Sequence, residues 1–307
     1  MAHFPGPRNR AALPTCTKPH DMGKPLPVTY PADADGSDIS SEAFDIILNI
    51  LKSRRGFNLD IYKNKCIKRR IAIRIRKTGC ATAREYAELL IRDGAEPDYL
   101  LKVLTIHVSQ FFRNPATFEK LRTDIFPLLF SRSEQKGRDS IKILSVGCAG
   151  GEEPYSIALL LKDFFTQPMA QCRVAIVATD VDQEVLETAR AGIYRQERLA
   201  DIPQDTMARW FTPERGNFRL VEEIREMVTF RQSDLFEFDS LPGSDLILCR
   251  NVLIYLERNH QEKILKRFAE ALRSGGMLVL GKAETLVGES RRHFQTVCPV
   301  ERIYRAV

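Results

Sequence analysis

The sequence predicts an α/β protein in which an all-α N-terminal domain precedes a Rossmann-like domain with a small inserted antiparallel β-subdomain. Three observations predict it. Residues 40 to about 130 carry apolar side chains at helical spacing. After about residue 140, short apolar segments alternate with helical ones, which indicates parallel strands joined by right-handed crossovers. Between Tyr194 and Phe230 this alternation lapses into a polar stretch with short apolar runs.

These patterns divide the 307 residues into three parts. Residues 1–38 contain seven of the 16 prolines and are predicted to be a disordered tail. Residues 39–130 are predicted to form the helical N-terminal domain and a linker. Residues 131–307 are predicted to form the sheet domain, with the insertion at 193–230. The hydrophobic content of 44% is typical of a globular protein with a real core.

Charge and cysteine content narrow the class of protein. The net charge of +6 is only mildly basic and does not by itself indicate nucleic acid. The seven cysteines are widely spaced and contain no C-x-x-C pair, so neither a metal site nor a disulfide framework is expected. Reduced thiols, and an N-terminus without an apolar targeting segment, favour a cytoplasmic protein. No apolar run reaches the ~18 residues expected of a membrane span.

Capping residues, prolines and glycines mark where the helices of the N-terminal part are predicted to begin and end. Ser40 and Ser41 can cap a first helix that carries Phe44, Ile47 and Leu51 at helical spacing. A proline at the first helical position marks the start of the fifth helix. The second to fifth helices are predicted at Tyr62–Lys77, Arg84–Arg92, Asp98–His107 and from Asn114-Pro115 onward.

The strands of the second part are short apolar runs. A glycine-rich turn follows the first of them, and the pair Gly275-Gly276 is predicted to end the last helix and to precede the next strand. The final residues, Thr296–Arg305, suit an edge strand or a hairpin. Strands are predicted at Ile141–Val146, Cys172–Thr179, Asp245–Cys249 and Met277–Gly281, and helices at 154–165, after Asp180 up to Ala191, and at Arg258–Ser274.

The glycine-rich segment Gly147–Tyr155 lies between a strand and a helix, where an open α/β sheet binds ligands. No lysine follows Gly151, which excludes a P-loop. A dinucleotide pyrophosphate needs an open helix N-terminus, and Glu152 and Glu153 would repel it there. A cofactor that is cationic near this loop fits better, and S-adenosylmethionine carries a sulfonium and an ammonium group.

Asp180 ends the second predicted strand. An acid at that place suits the two ribose hydroxyls of a nucleoside cofactor. The alternative is that the glycines form only a tight turn and that Asp180 caps the helix after it.

Five segments resemble the CheR family of chemotaxis receptor glutamate methyltransferases. The order and spacing of all five match over about residues 40–307. The segments are Ser109-Gln110-Phe111-Phe112-Arg113-Asn114, Gly150-Gly151-Glu152-Glu153-Pro154-Tyr155-Ser156, Ala178-Thr179-Asp180-Val181-Asp182, Cys249-Arg250-Asn251-Val252-Leu253-Ile254-Tyr255 and Gly281-Lys282-Ala283-Glu284-Thr285-Leu286.

The resemblance implies a class I methyltransferase domain with an inserted β-subdomain after a helical domain, the architecture that the patterns predict. It also implies S-adenosylmethionine as cofactor and S-adenosylhomocysteine as product, with no metal. Arg113 and Tyr255 would lie nearest the substrate carboxylate. The residues implied at the cofactor are His107, Ser109, Arg113, Gly147, Glu153, Asp180, Asp234, Leu235, Arg250 and Asn251. The chain departs from the family's usual residues at His107, Ser109, Asp234, Lys282 and Ala283.

Methyl transfer to a glutamate carboxylate needs no general base, because the carboxyl group, with a pKa near ~4.3, is already ionised at neutral pH. Arg113 can hold that carboxylate through paired donors, and Tyr255 can orient it. Phe111 and Phe112 either wall the cofactor or belong to the core. Cys148 and Cys249 are interpreted as packing residues rather than nucleophiles.

The predicted helix Tyr62–Lys77 carries eight cations and no acid, while Ile67, Ile71 and Ile75 recur every four residues as its buried face. Such a surface suits nucleic acid or an acidic helical protein. The resemblance favours the glutamate-rich helical region of chemoreceptors, with no DNA or RNA and no membrane insertion, and the chain is expected to be a monomer. The alternatives are a methyltransferase of RNA or small molecules, or a non-catalytic S-adenosylmethionine-binding adaptor.

Overall fold

The computed structural model describes residues 39–55, 59, 61–105, 109–235 and 242–307. The predicted disordered tail at 1–38 and the cofactor candidate His107 lie outside these residues. None of the helices in the described ranges is long and apolar enough to cross a membrane. The described chain combines helices with a seven-stranded and a three-stranded sheet, which confirms the predicted fold class.

Four helices form the N-terminal part: α1 (Ser41–Arg55), α2 (Asn64–Thr78), α3 (Ala83–Arg92) and α4 (Glu96–Leu104). Ile67, Ile71 and Ile75 of α2 are buried, as their spacing predicts. Thr82 caps α3 by accepting a hydrogen bond from the Glu85 amide at 3.1 Å.

A second helical run, comprising α5 (Pro115–Lys120), a π-helical turn (Leu121–Ile125) and α6 (Phe126–Gln135), packs against the sheet instead. Phe118 and Phe126 share a buried cluster with sheet residues, whereas the cluster of the first four helices ends at Leu104. Within the range 39–130 predicted for the helical domain and linker, the helices after Leu104 thus join the core of the sheet. Helical spacing alone does not tell which core a helix serves.

The large sheet has seven strands, which are β1 (Ser140–Val146), β2 (Arg173–Asp180), β6 (Val228–Gln232), β7 (Ser244–Cys249), β8 (Leu272–Leu280), β9 (Phe294–Cys298) and β10 (Ile303–Ala306). Their order across the sheet is β6-β2-β1-β7-β8-β10-β9. Five neighbouring strands are parallel, and the final hairpin β9–β10 adds antiparallel to β8. Their helices are α7 (Glu152–Phe164), α8 (Thr166–Gln171), α9 (Gln183–Ala191) and α12 (Arg258–Ala271).

The insertion forms a small antiparallel sheet of β3 (Ile193–Tyr194), β5 (Asn217–Leu220) and β4 (Phe211–Glu214), with α10 (Gln204–Trp210) and α11 (Glu222–Arg225) beside it. The predicted range 193–230 runs too far, because β6 (Val228–Gln232) pairs with β2 in the large sheet. This edge strand alternates buried and exposed residues, which makes its sequence look like part of a polar insertion.

The glycine pair Gly275-Gly276 lies inside β8, not between a helix and a strand. The helix before it ends at Ala271, and β8 begins at Leu272. Ser244 of β7 pairs with Leu272, and the next pair is Leu246 with Met277, so the register shifts between these two pairs. The glycines therefore belong to a bulge at the start of the strand, a common place for glycine.

Candidate cofactor pocket and active site

A pocket opens at the carboxyl ends of β1, β2 and β7. In the sheet β1 lies between β2 and β7, so the strand order reverses at β1, and ligands of open α/β sheets bind at such a point. Helices of the N-terminal part supply further side chains to its lining. Every implied cofactor or substrate residue in the described ranges lines it, namely Ser109, Arg113, Gly147, Glu153, Asp180, Asp234, Leu235, Arg250, Asn251 and Tyr255.

The loop after β1 approaches the pocket through its glycine. Gly147 has a φ of +67°, and a methyl group placed on it would lie 2.6 Å from Val252 Cγ2. Its amide donates to the Thr179 carbonyl at 2.8 Å. Two residues later in the loop, the Ala149 amide donates to Asp180 Oδ2 at 2.9 Å. The buried Asp180 carboxylate thus holds the loop at the pocket. Asp182, not Asp180, caps α9 by accepting from the amides of Glu184 and Val185.

The two glutamates that open α7 have different surroundings. Glu153 lines the pocket and accepts a hydrogen bond from Ser145 Oγ at 2.8 Å. Glu152 is buried. Its Oε1 atom lies 3.1 Å from Nη1 of Arg198, a residue of the insertion. The carboxylates of Glu153, Asp180 and Asp234 therefore face the same pocket, which favours a cationic cofactor over a phosphate-bearing one.

Arg250 holds the turn that contains Arg113 and Asn114. Its Nη2 donates to the Arg113 carbonyl at 2.7 Å and to Asn114 Oδ1 at 2.8 Å, and its Nη1 lies 3.3 Å from Glu153 Oε2. Its buried Nε has no hydrogen-bond partner among the described residues. An orphaned donor in the lining of a pocket indicates a missing acceptor, and the carboxylate of S-adenosylmethionine is one that fits.

Four residues other than glycine around the pocket adopt left-handed backbone conformations: Phe112, Asn114, Ala149 and Asn251. Such conformations cost about 1–3 kcal/mol each and persist where the surrounding structure fixes them. Their concentration in the three loops that meet at the pocket is typical of a functional site.

The fixed backbone at Asn251 depends on Glu284, whose role the sequence did not show. The Glu284 carboxylate accepts hydrogen bonds from the amides of Asn251 (2.9 Å), Val252 (2.8 Å), Ile254 (3.3 Å) and Gly281 (2.5 Å). Burial raises the pKa of Glu284, and the four N–H donors oppose that rise because they stabilise the carboxylate. The segment Gly281–Leu286 is thus the scaffold of the loop that carries Arg250 and Tyr255.

The N-terminal helices contribute pocket residues that the sequence also did not single out. Arg70 of α2 places its guanidinium carbon 4.7 Å from the centre of the Tyr255 ring, and both side chains line the pocket. Burial lowers the pKa of Arg70. Tyr62 lies nearby, and burial together with the charges of Asp234 and Asp180 raises its pKa to about 12. Its hydroxyl is therefore protonated at neutral pH.

The basic helix differs from its prediction. It begins at Asn64 rather than at Tyr62, which instead forms a β-bridge with Leu256. Arg74 is buried against Glu96, and Arg70 lines the pocket, so the eight cations do not form one surface. The exposed ones are Lys65, Arg69, Arg76 and Lys77.

Of the two alternatives for Phe111 and Phe112, cofactor wall or core, the structure shows the core. Phe111 is fully buried, 4.8 Å from Tyr194 between ring centres, and Phe112 packs edge-on against Phe118. The aromatic side chain that lines the pocket here is Phe118, rather than Phe111 or Phe112. Cys148 and Cys249 are buried, and burial raises the pKa of both thiols, which supports their interpretation as packing residues.

The insertion is bonded to the segment that carries Arg113. The Phe111 amide donates to the Arg198 carbonyl at 3.2 Å, and Gln110 Nε2 donates to Asp201 Oδ2 at 2.6 Å. Arg198 also donates to the Ser109 carbonyl. The turn around Arg113 is therefore held from the insertion on one side and by Arg250 on the other.

Two family models match the chain. One, for the SAM-binding domain of CheR methyltransferases, matches residues 107–301, and the other, for their all-alpha domain, matches residues 42–105. The SAM of the first model is S-adenosylmethionine, which is the cofactor that the pocket fits.

Three individual proteins are similar to this chain over most of its length. A chemotaxis protein methyltransferase of Listeria monocytogenes is 31% identical over 78% of this chain and 88% of that protein. Chemotaxis protein methyltransferase 2 of Pseudomonas aeruginosa is 33% identical over 86% of this chain and 95% of that protein. An uncharacterised 104.1 kDa protein of Rhodobacter capsulatus is 33% identical over 87% of this chain, which spans only 28% of that longer protein.

Proposed function

This chain belongs to the CheR methyltransferase family, and from that premise we propose that it methylates glutamate side-chain carboxylates of chemoreceptor proteins. The observation that carries the proposal is the grouping of Arg113, Arg70 and Tyr255 in one pocket with three carboxylates. The carboxylates suit a cationic methyl donor, and the arginines and the phenol suit an anionic acceptor.

We assign the cofactor to the acidic side of the pocket. Asp180 and Asp234 suit the hydroxyl and amine groups of the nucleoside end, and Gly147 leaves room for close approach of the loop. Glu153 suits the ammonium group, and Arg250 Nε suits the carboxylate. Ser109, Leu235 and Asn251 complete the proposed set, together with His107, which lies outside the described residues.

Bound S-adenosylmethionine supplies an electrophilic methyl group. The acceptor carboxylate is already an anion at neutral pH, so the protein needs to orient it rather than to remove a proton. In our proposal Arg113 holds the carboxylate and Tyr255 orients it, while Arg70 fixes the Tyr255 ring by stacking on it. Because positive and negative charge cancel as the methyl group moves, a pocket that excludes water favours the transfer.

The exposed cations of α2 support an acidic partner. Lys65, Arg69, Arg76 and Lys77 are exposed on the helix whose Arg70 reaches the pocket. A glutamate-rich helix lying along α2 would meet these charges and bring one carboxylate to the pocket. A monomeric state and a cytoplasmic location belong to the same proposal, and all six cysteines in the described ranges are free thiols.

The test is a transfer assay with S-adenosylmethionine labelled in its methyl group and a glutamate-rich chemoreceptor fragment. We expect alkali to release the label, because esters are base-labile. Arg113→Ala should lose transfer while keeping cofactor binding by calorimetry, and Arg267→Ala, on the exposed side of α12, should keep both. Alkali-stable label, or label on nucleic acid, would contradict the proposal.

A further inference from the structure

A second cavity of about 190 Å³ lies at the opposite end of the sheet, where β7 and β8 begin. It is separate from the cofactor pocket and shares no lining residue with it. Four cationic side chains line it, Arg132, Lys136, Arg138 and Arg273, together with the single carboxylate of Asp245.

One carboxylate cannot neutralise these four cations. Asp245 lies 2.5 Å from Arg138 Nη1 and 3.5 Å from Arg273 Nη1, and it also accepts from the Lys142 amide at 2.9 Å. Arg132 and Lys136 have no ion pair with it. The pKa of Arg132 is lowered by burial and by the positive charges of Arg305 and Arg138. The cavity therefore keeps an excess of positive charge.

Two of the guanidinium groups also present unused donors. Arg138 Nε and Arg273 Nη1 are buried atoms, and neither makes a hydrogen bond in the part of the chain that the structure describes. The 3.5 Å between Arg273 Nη1 and Asp245 is an ion-pair contact that is too long for a normal hydrogen bond. Buried donors are nearly always paired in folded proteins, so two orphans in one cavity indicate an acceptor that binds there.

The backbone of the bulge in β8 makes room for this arrangement. Arg132 Nη1 donates to the Gly275 carbonyl at 2.5 Å, and a methyl group on Gly275 would lie 3.0 Å from that same nitrogen. At Gly276 a methyl group would lie 2.9 Å from the Arg273 carbonyl. Gly275 thus allows Arg132 of α6 to approach the start of β8 closely, and glycine in a strand often marks such a close approach.

We propose that this cavity binds a phosphate group, either as inorganic phosphate or as the phosphate of a small ester such as a nucleotide. Guanidinium groups match the geometry of phosphate oxygens through paired donors. A phosphate dianion balances the excess charge better than a monovalent carboxylate does. Asp245 stays paired with Arg138 and orients its guanidinium toward the ligand.

The experiment titrates the full chain with inorganic phosphate, and separately with ADP, by calorimetry at low ionic strength. The variant is Arg132→Gln with Lys136→Gln, which leaves the ion pairs of Asp245 intact. The control is Lys266→Gln, whose partner Glu270 is 4.0 Å away on the surface. Wild type and control should bind phosphate with a Kd of about 1 mM or tighter, and the double variant should bind at least about tenfold more weakly.

Methyl transfer should be unchanged in the double variant, because the cavity is separate from the pocket. Equal loss of phosphate and ADP binding identifies the phosphate group as the recognised unit. Tighter binding of ADP than of phosphate, lost in the same variant, identifies a nucleotide as the ligand. Equal phosphate affinity in variant and wild type, or no phosphate binding by the wild type, would overturn the proposal.

Discussion

The Glu284 carboxylate accepts a hydrogen bond from the Val252 amide at 2.8 Å and so joins two loops that are distant in sequence. The same Val252 side chain faces Gly147, where an added methyl group would lie 2.6 Å from it. Glu284 thus fixes the loop after β7 through its backbone amides. Val252 of that loop in turn limits how large a side chain the glycine loop can carry at position 147. Two of the five segments that carry the family resemblance, those that contain Val252 and Glu284, meet at this point.

Replacing Glu284 by Gln should impair transfer strongly. The amide keeps one acceptor oxygen but turns an NH₂ group toward backbone N–H donors, which leaves buried donors unpaired at about 1–3 kcal/mol. We expect kcat to fall about tenfold or more, because Tyr255 and Arg250 lose their fixed positions. Steady-state kinetics separates the effect on kcat from that on KM, and calorimetry measures cofactor binding.

The matched control for Glu284→Gln is Glu270→Gln, since Glu270 is exposed and has only a 4.0 Å contact with Lys266. The control should behave as wild type. Wild-type kcat, KM and cofactor affinity in Glu284→Gln would show that the loop does not depend on the carboxylate.

The parts of the site that the sequence predicted are local in the chain. The glycine loop, Asp180 and the acidic start of α7 follow strands directly, and strand ends meet at one edge of a parallel sheet. Glu284, Arg70 and Tyr62 were missed because their contacts join residues far apart in sequence, as in Arg70 with Tyr255. Such contacts depend on how the two parts of the chain pack, which periodicity does not encode.

The fold shows the same limit. Buried strands were predicted to within a few residues, because they read as continuous apolar runs. The first three residues of the edge strand Val228–Gln232 were assigned to the insertion, since an edge strand with one exposed face has no such run. Gly275-Gly276 was interpreted as a helix stop, although the glycines serve a bulge inside β8.

Gly147→Ala should weaken cofactor binding. The alanine would have to adopt a φ of +67° and would place its methyl group 2.6 Å from Val252 Cγ2. Gly216→Ala is the control, because Gly216 has a φ of +79° but nothing within 4 Å of the added methyl group. Calorimetry should show at least about a tenfold loss of affinity at Gly147 and none at Gly216. Equal affinities in the two variants would show that the contact with Val252 does not matter.

Arg74→Ala should destabilise the N-terminal helices. Arg74 pairs with Glu96 through two contacts of 2.5 and 2.6 Å, and both side chains are at most 10% exposed. Removing the arginine leaves a buried carboxylate that keeps the hydrogen bond from the Tyr86 hydroxyl but has lost its cation, at a cost of about 3–5 kcal/mol. Urea unfolding measures the loss. Arg76→Ala, on the exposed side of α2, should change stability by less than about 0.5 kcal/mol.

The stability that Glu301 confers should depend on pH. Its carboxylate accepts hydrogen bonds from Thr117 Oγ1 at 2.6 Å and Lys282 Nζ at 2.5 Å. Burial alone would raise the pKa of Glu301, but these hydrogen bonds and the charge of Lys282 outweigh it and lower the pKa. The contribution is therefore complete above the unfolded-state pKa of about 4.3 and is lost as pH falls through the lower folded-state pKa.

Glu301→Gln should accordingly cost about 1–2 kcal/mol at pH 7 and progressively less below about pH 4. Urea unfolding at a series of pH values measures the difference between the variant and the wild type. Lys282→Met removes the cation beside Glu301, and it should reduce the pH dependence by raising the folded-state pKa of Glu301. A cost of Glu301→Gln that is constant from pH 7 to about pH 3 would show that the carboxylate gains nothing from Thr117 and Lys282.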